Sequence, residues 1–289
     1  MNEVNFDDFK CRCSAITKMM ANSRDNPVLT EKQAIRLAEL EKKDKLTDNQ
    51  VAEMADLLVK RSNSTKIILS DTCIEYLMEW YSWKVAGKIP VDKEAMDIEY
   101  TKKGKSEEGE SIALLSRVDR AVYIKNEERV ENEYLSGIPD IYQGDTLMTA
   151  TKIIDNKAIW DNPGFLKNIH KKPENGYIDQ IGGYCDITGA PEGEIAKTLV
   201  NMPEEIILDY QFRLLKKMNC ATTESPEFKE EWAKWERSMR FDDIPKEQRV
   251  FKISVQPFTQ ERKQAIYDRV KVCREWLWKF HEQYLQFNK

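Results

Sequence analysis

Histidine is almost missing from this chain: His170 and His281 are the only two, and neither adjoins a motif. A histidine-based mechanism is therefore not expected. Any CxxC pair is missing as well. Of the six cysteines (Cys11, Cys13, Cys73, Cys185, Cys220 and Cys273), only Cys11 and Cys13 are near neighbours, and no second pair completes a tetrahedral site. Zinc and iron-sulfur chemistry are disfavoured, and the thiols read as reduced and mostly buried. No apolar run approaches the roughly 18 to 20 residues that a membrane span needs, and the start MNEVNFDDFK is too acidic and polar for a secretory signal. The expected location is the cytoplasm, with no membrane partner. An excess of positive charge is also lacking, since the net charge is -5, so contact with nucleic acid would have to rest on a local basic surface.

Hydrophobic residues make up 41% and charged residues 33% of the 289, a globular profile able to bury a large core. The first ninety residues read as helices. LTEKQAIRLAEL and LTDNQVAEMADLL each place Thr three residues before Gln (Thr30 with Gln33, Thr47 with Gln50), the pattern of a reciprocal helix cap, with Leu29 and Leu46 preceding the caps. A third helix begins near Ser70 and ends at Gly87. Its Tyr76, Trp80 and Trp83 recur at helical spacing, as core residues or as a base-stacking platform.

From residue 101 the texture changes. TKKGKSEEGESIALLSRVDRA leads into a helix whose apolar stripe is Ile112, Leu115 and Val118 or Val122. Stepping back four residues turns Glu108 inward, leaving Glu107 and Glu110 on other faces. GIPDIY and TKIIDNKAIW read as strands separated by turn residues, YIDQIGGYCDIT as a helix, EIAKTLV as a strand and PEEIILDYQFRLLKKM as a helix. The stretch 221–248 is polar and Trp-containing, with DDIPKEQRV as a loop and no element assigned to the rest, VFKISVQ alternates like a strand, and a long amphipathic helix closes the chain. The expectation is α/β: a helical N-terminal lobe over residues 1–90 and an α/β core over 91–289, with no low-complexity linker between them.

Asp140 and Asp155 are acids at strand ends, and Lys157, two residues after Asp155, shares its face of the strand. Two carboxylates converging with a third from a helix make a hard-oxygen cradle for Mg²⁺ or Mn²⁺. An ammonium beside them can orient or deprotonate a water and offset charge on an attacked phosphate. These are the parts of phosphodiester hydrolysis. Asp-x-Lys alone is weak, and the alternative reading is an exposed edge-strand pair. The order strengthens it: Glu108, then Asp140, then Ile153-Ile154-Asp155-x-Lys157, then Gln180 and Tyr184 four apart on one helical face, with Tyr177 three earlier. Gly182 and Gly183 lie between them, poor helix residues tolerated where another backbone or a substrate comes close.

The succession G-x-x-x-E (Gly104 to Glu108), G-x-P-D (Gly137 to Asp140), I-I-D-x-K (Ile153 to Lys157) and Q-x-x-x-Y (Gln180 to Tyr184) resembles the PD-(D/E)XK nuclease superfamily. Within it, the likeness is to the branch of RecB-type nuclease domains, YqaJ-type recombinases and lambda-type phage exonucleases. It covers roughly residues 100 to 215. The resemblance implies a restriction-endonuclease-like core, a central mixed sheet flanked by helices. It implies a metal-dependent DNA nuclease, exonuclease rather than endonuclease, working in recombination or DNA processing, in the host cytoplasm if phage-encoded. Asp140, Asp155 and Glu108 would ligate Mg²⁺ or Mn²⁺, and Lys157 would assist the attacking water. Gln180 and Tyr184 would hold the DNA strand or organise the site. FKCRCSAITKMM is similar to the helix start that lies near a DNA 5'-phosphate in phage-type members, so Arg12 and Ser14 are further DNA-binding candidates, the alternative being a capped helix start. Lys102, Lys103, Lys105, Lys171 and Lys172 offer a basic path for duplex ends, and a recombination or single-strand-annealing protein is the implied partner. Asn156 departs from the pattern, being polar where an apolar residue is usual, and the turn between Asp140 and Asp155 is lengthened by TLMTATK. Glu107 is the second choice for the helix carboxylate, while Glu133, seven residues before Asp140, reads as a strand residue pointing to solvent. The rival function is an inactive nuclease fold that binds DNA ends or a partner; a third reading is a helical scaffold with a small sheet.

Overall fold

The structure, a computed structural model, describes residues 4–23, 27–64, 67–88, 103–104 and 106–287. Lys102 and Lys105, and the expected boundary near residue 90, lie outside the described residues. Two compact units are formed: Met1–Pro90 with Gln260–Lys289, and Val91–Thr259.

In the first unit a two-residue strand β1 (Cys11–Arg12) is followed by helices α1 (Ile16–Met19), α2 (Glu31–Glu41), α3 (Asp48–Ser64) and α4 (Asp71–Ala86). Both expected caps form. Thr30 accepts from the Gln33 amide while Gln33 accepts from the Thr30 amide, and Thr47 and Gln50 do the same. Each cap satisfies amides that a helix start leaves unpaired. The hairpin they open closes over Leu37, Leu40 and Leu57, with Leu29 and Leu46 packed alongside. Of the aromatic series on α4, Tyr76 is buried and Trp80 packs edge-on to Phe9, whereas Trp83 faces solvent. The chain's final helix, Gln260–Phe287, was expected with the core but groups with these helices. The physical reason is its aromatic face: the Trp278 ring lies 4.8 Å edge-on from Phe6, and Tyr81 Oη hydrogen-bonds His281 Nδ1 at 2.7 Å.

The second unit is built on a mixed sheet in the order β2 (Ile124–Lys125), β5 (Ile141–Gln143), β6 (Lys152–Ala158), β7 (Glu192–Thr198), β8 (Val250–Val255). Only β6 and β7 run parallel; the other neighbours are antiparallel. Before β5, the short strands β3 (Val130–Glu131) and β4 (Leu135–Gly137) pair as a hairpin. Helices cover both faces, as the resemblance implied. Helix α5 (Glu108–Asp119) lays Ile112 and Leu115 over Ile141, Ile154 and Ala196 on one face. On the other, α6 (Asn162–His170) and α7 (Asn175–Thr188) lie between β6 and β7 in the chain, and α7 packs against both strands. That packing is close: a Cβ on Gly193 of β7 would sit 2.4 Å from Ile181, and one on Gly182 would sit 2.3 Å from the Phe258 ring. Gly182, singled out in the sequence, therefore serves a contact within this chain.

Helix α8 (Glu204–Lys217) forms as expected, and α9 (Pro226–Arg237) appears where no element was expected. The local signal for α9 was Ser225-Pro226: Ser225 Oγ accepts from the Phe228 amide, with Pro at the first helical position. Its Trp232 and Trp235 pack against Met202, Ile207 and Met239.

Candidate active site

The β5–β6 hairpin brings the two acids together. Ile141 pairs with Ile154 and Tyr142 with Ile153, and one further step in this register sets Asp140 opposite Asp155. The long turn does not disturb this. Thr146 and Thr149 cap each other around a short turn of helix, Leu147–Thr149, whose Leu147 is buried. The stretch expected as one strand is interrupted at Ile138–Asp140, so Asp140 stands at the head of β5, where its carboxylate accepts from the Asn156 amide at 3.2 Å.

Period-two alternation on β6 sends Asp155 and Lys157 to the α7 face and Ile154 and Asn156 to the α5 face. Lys157 Nζ lies 2.9 Å from Asp155 Oδ1 and 3.2 Å from Asp140 Oδ2, bridging the two acids. From α7, Gln180 Nε2 donates to Asp155 Oδ1 at 3.2 Å and to Tyr184 Oη at 3.0 Å. Four of the expected residues thus converge with Lys157 at one point. Asp155 is fully buried, and among the described residues its Oδ2 has no hydrogen-bond partner. Burial pushes its pKa up to about 6; Lys157 pulls it back down and Asp140 adds to the rise. Burial opposes the charge of Lys157, but Asp155 and Asp140 outweigh it and hold the ammonium above its ordinary pKa.

Glu108 is not brought into this group. It opens α5 and forms an ion pair with Lys125 at 3.1 Å; Leu115 of the projected stripe is buried with Ile112 packed beside it, but the buried face also takes in Ser111 and Leu114. Among the described residues no cluster of three His, Cys, Asp or Glu forms. Glu107 occupies the N-cap position of the same helix without a side-chain cap bond, and Glu133 is exposed in the β3–β4 turn. Lys103 is also corrected: it is buried, donating to the carbonyls of Trp160 at 2.9 Å and Val200 at 2.8 Å, and is no surface contact for DNA. Lys171 and Lys172 are exposed just after α6. Arg12 and Ser14 belong to the first unit, both exposed. The Arg12 guanidinium lies 5.7 Å from the Tyr76 ring centre, and Ser14 sits in a short turn of helix without capping it.

Asn156 has a local partner. Its amide donates to Ser111 Oγ of α5 at 2.7 Å, and Ser111 in turn hydrogen-bonds Thr198 of β7. Sequence reasoning missed two residues beside this group, Lys197 and Asn168. Lys197 lies directly across the parallel ladder from Lys157 and hydrogen-bonds Asn168 of α6. The Tyr177 ring sits between the two ammonium groups, 6.0 Å from Lys157 and 5.7 Å from Lys197.

Two carboxylates with an unpartnered buried oxygen suit a hard divalent cation. Mg²⁺ is commonly held by one or two carboxylates, with water and phosphate oxygens completing its shell.

No family model and no curated protein matches the chain in sequence. Solved structures do match in fold. A phage-related exonuclease from Haemophilus somnus 129PT has 18% identity and a TM-score of 0.56, over 96% of this chain and 97% of that one. An alkaline exonuclease from Laribacter hongkongensis has 11% identity and a TM-score of 0.53, over 98% of this chain and 94% of that one. The same enzyme in complex with dAMP gives 12% identity and a TM-score of 0.51, over 100% and 97%. The chain therefore shares its overall fold with these phage-related and alkaline exonucleases.

Proposed function

We propose that the protein is a divalent-cation-dependent deoxyribonuclease, an exonuclease of phage type that hydrolyses phosphodiester bonds in DNA recombination or processing. The observation that carries this reading is the Asp140–Lys157–Asp155 constellation, gathered within hydrogen-bond reach in a fold matched by solved exonucleases.

Asp140 and Asp155 would hold Mg²⁺ or Mn²⁺, whose chemistry is to withdraw negative charge from the attacked phosphate. Lys157 keeps its proton beside the two acids. It acts as a fixed ammonium that orients a water and offsets the charge growing on phosphate oxygens. Gln180, fastened to Tyr184, fixes one oxygen of Asp155 and leaves Oδ2 for the cation. DNA reaches the site past the exposed Lys167, Lys171 and Lys172 on and after α6, each contact adding salt-sensitive affinity. The dAMP of one solved neighbour is a mononucleotide, the class of product that end-directed digestion releases.

The test compares linear 5'-phosphorylated duplex, linear unphosphorylated duplex and closed circular DNA, with Mg²⁺ or Mn²⁺, for wild type and Lys157→Ala. Degradation confined to linear DNA and lowered about 100-fold or more in the variant is expected. No degradation of any DNA by wild type with either cation, or equal rates for both proteins, defeats the reading.

A further inference from the structure

We infer that Lys197 is a phosphate-binding residue of the same site, contacting the DNA strand that passes the Asp140–Asp155 pair. This rests on the nuclease reading.

Strand β7 is apolar and buried toward α7 at Gly193 and Ile195, and the next residue on that face is a lysine. Its register partner is Lys157, so the fold sets two cations side by side on one face of the sheet. Lys197 is only 7% exposed, and among the described residues its one hydrogen-bonding partner is the neutral side chain of Asn168. No carboxylate lies within ion-pair distance of it among those residues, in contrast to Lys157, which has two. The other buried lysine, Lys103, binds two main-chain carbonyls at the ends of β6 and β7 and so fastens the fold. Lys197 has no comparable anchorage.

Burying an ammonium with no carboxylate in ion-pair contact is costly, and burial lowers the pKa of Lys197, with Glu174 and Asp155 offsetting part of this. A methionine would fill the same space without that cost. An arriving phosphate supplies the missing anion: it lies beside the acids, and the Tyr177 ring faces both ammonium groups. Helix α6, which holds Asn168, also carries exposed Lys167 and leads into exposed Lys171, so the inner cation continues an outer basic path.

The test measures binding of a linear 5'-phosphorylated duplex without divalent cation, from about 50 to 200 mM salt, for wild type, Lys197→Met and Lys197→Arg. Lys197→Met is expected to bind about 10-fold more weakly and to lower the slope of log K against log salt by about one phosphate contact, near 0.9. Lys197→Arg keeps the wild-type slope. With Mg²⁺, Lys197→Met raises KM about 10-fold and changes kcat less than about 3-fold, the pattern of lost ground-state and transition-state binding alike. An unchanged slope in a Lys197→Met protein that melts like wild type overturns the inference and leaves Lys197 a packing residue. Should Lys197→Met fail to fold, Lys197→Gln, which retains a hydrogen bond to Asn168, is held to the same slope. The expected slope difference between wild type and Lys197→Met, with no DNA degraded by wild type, would defeat the nuclease reading alone.

Discussion

Asp140 stands opposite Asp155 across the β5–β6 hairpin, and Lys157 bridges them. Like charges directly opposed on a sheet repel, so in the metal-free protein Lys157 is the group that lets both acids share the site. Lys157→Met should lower metal-free stability by about 3 kcal/mol, the order seen when one partner of a buried ion pair is removed. Mg²⁺ should then raise the melting temperature of Lys157→Met more than that of wild type, because the cation takes over the neutralising role. Thermal melts with and without Mg²⁺ decide this, and equal Mg²⁺ increments would refute it.

Asp155 gives a pH signature. Its pKa of about 6 in the folded chain lies above its ordinary 3.8. The protonated acid is therefore the form that folding favours, and its stabilising contribution is complete below about pH 4 and lost as pH rises through 6. The gap corresponds to about 3 kcal/mol. Metal-free wild type should lose about that much stability relative to Asp155→Asn between pH 4 and 7, measured by urea unfolding. Stabilisation by Mg²⁺ should grow over the same interval as the carboxylate ionises. A stability difference that stays flat across it would show that burial does not govern this acid.

The two acids and Lys157 were legible because hairpin register and strand alternation are local rules, and Gln180 with Tyr184 because four residues make one helical turn. Other features depended on how elements dock. Glu108 could be projected inward from Ile112, and Ile112 and Leu115 do pack on the sheet, but the buried face of α5 also takes in Ser111 and Leu114, and its first residue pairs with Lys125. Lys103 looked like surface charge until the ends of β6 and β7 offered it carbonyls. Lys197 became a neighbour of Lys157 only through a parallel pairing that crosses two helices. The closing helix read correctly as a helix, yet one of its partners, Phe6, lies near the other end of the chain and another, Tyr81, is 200 residues from His281.

Asn156 forms part of a polar seam between sheet and α5, hydrogen-bonded to Ser111 but with its own Oδ1 buried and unpaired. Asn156→Val loses one hydrogen bond and also removes the unpaired oxygen. Its stability should stay within about 1 kcal/mol of wild type, and nuclease activity should persist. Ser111→Ala leaves the Asn156 amide and the Thr198 hydroxyl without their partner, and should cost about 1 to 3 kcal/mol. Denaturant unfolding of the two variants tests the ordering; a larger loss for Asn156→Val would mean that the seam holds the site through Asn156 itself.

Gly182 links the position of α7 to the chemistry, because the same helix carries Gln180 and Tyr184. A Cβ at residue 182 would meet the Phe258 ring at 2.3 Å, nearer than any real contact. The ring is only partly buried and can give way, so Gly182→Ala should cost about 1 to 3 kcal/mol, the range for overpacking. If α7 shifts instead of the ring, Gln180 moves from Asp155 Oδ1, and activity should fall further than stability does. Phe258→Leu removes the obstructing ring edge, so the double variant should recover most of both losses. Paired melting and rate measurements on wild type, the single variants and the double variant would separate these routes. Full stability with activity still low in the double variant would place the defect in the helix backbone and not in the ring contact.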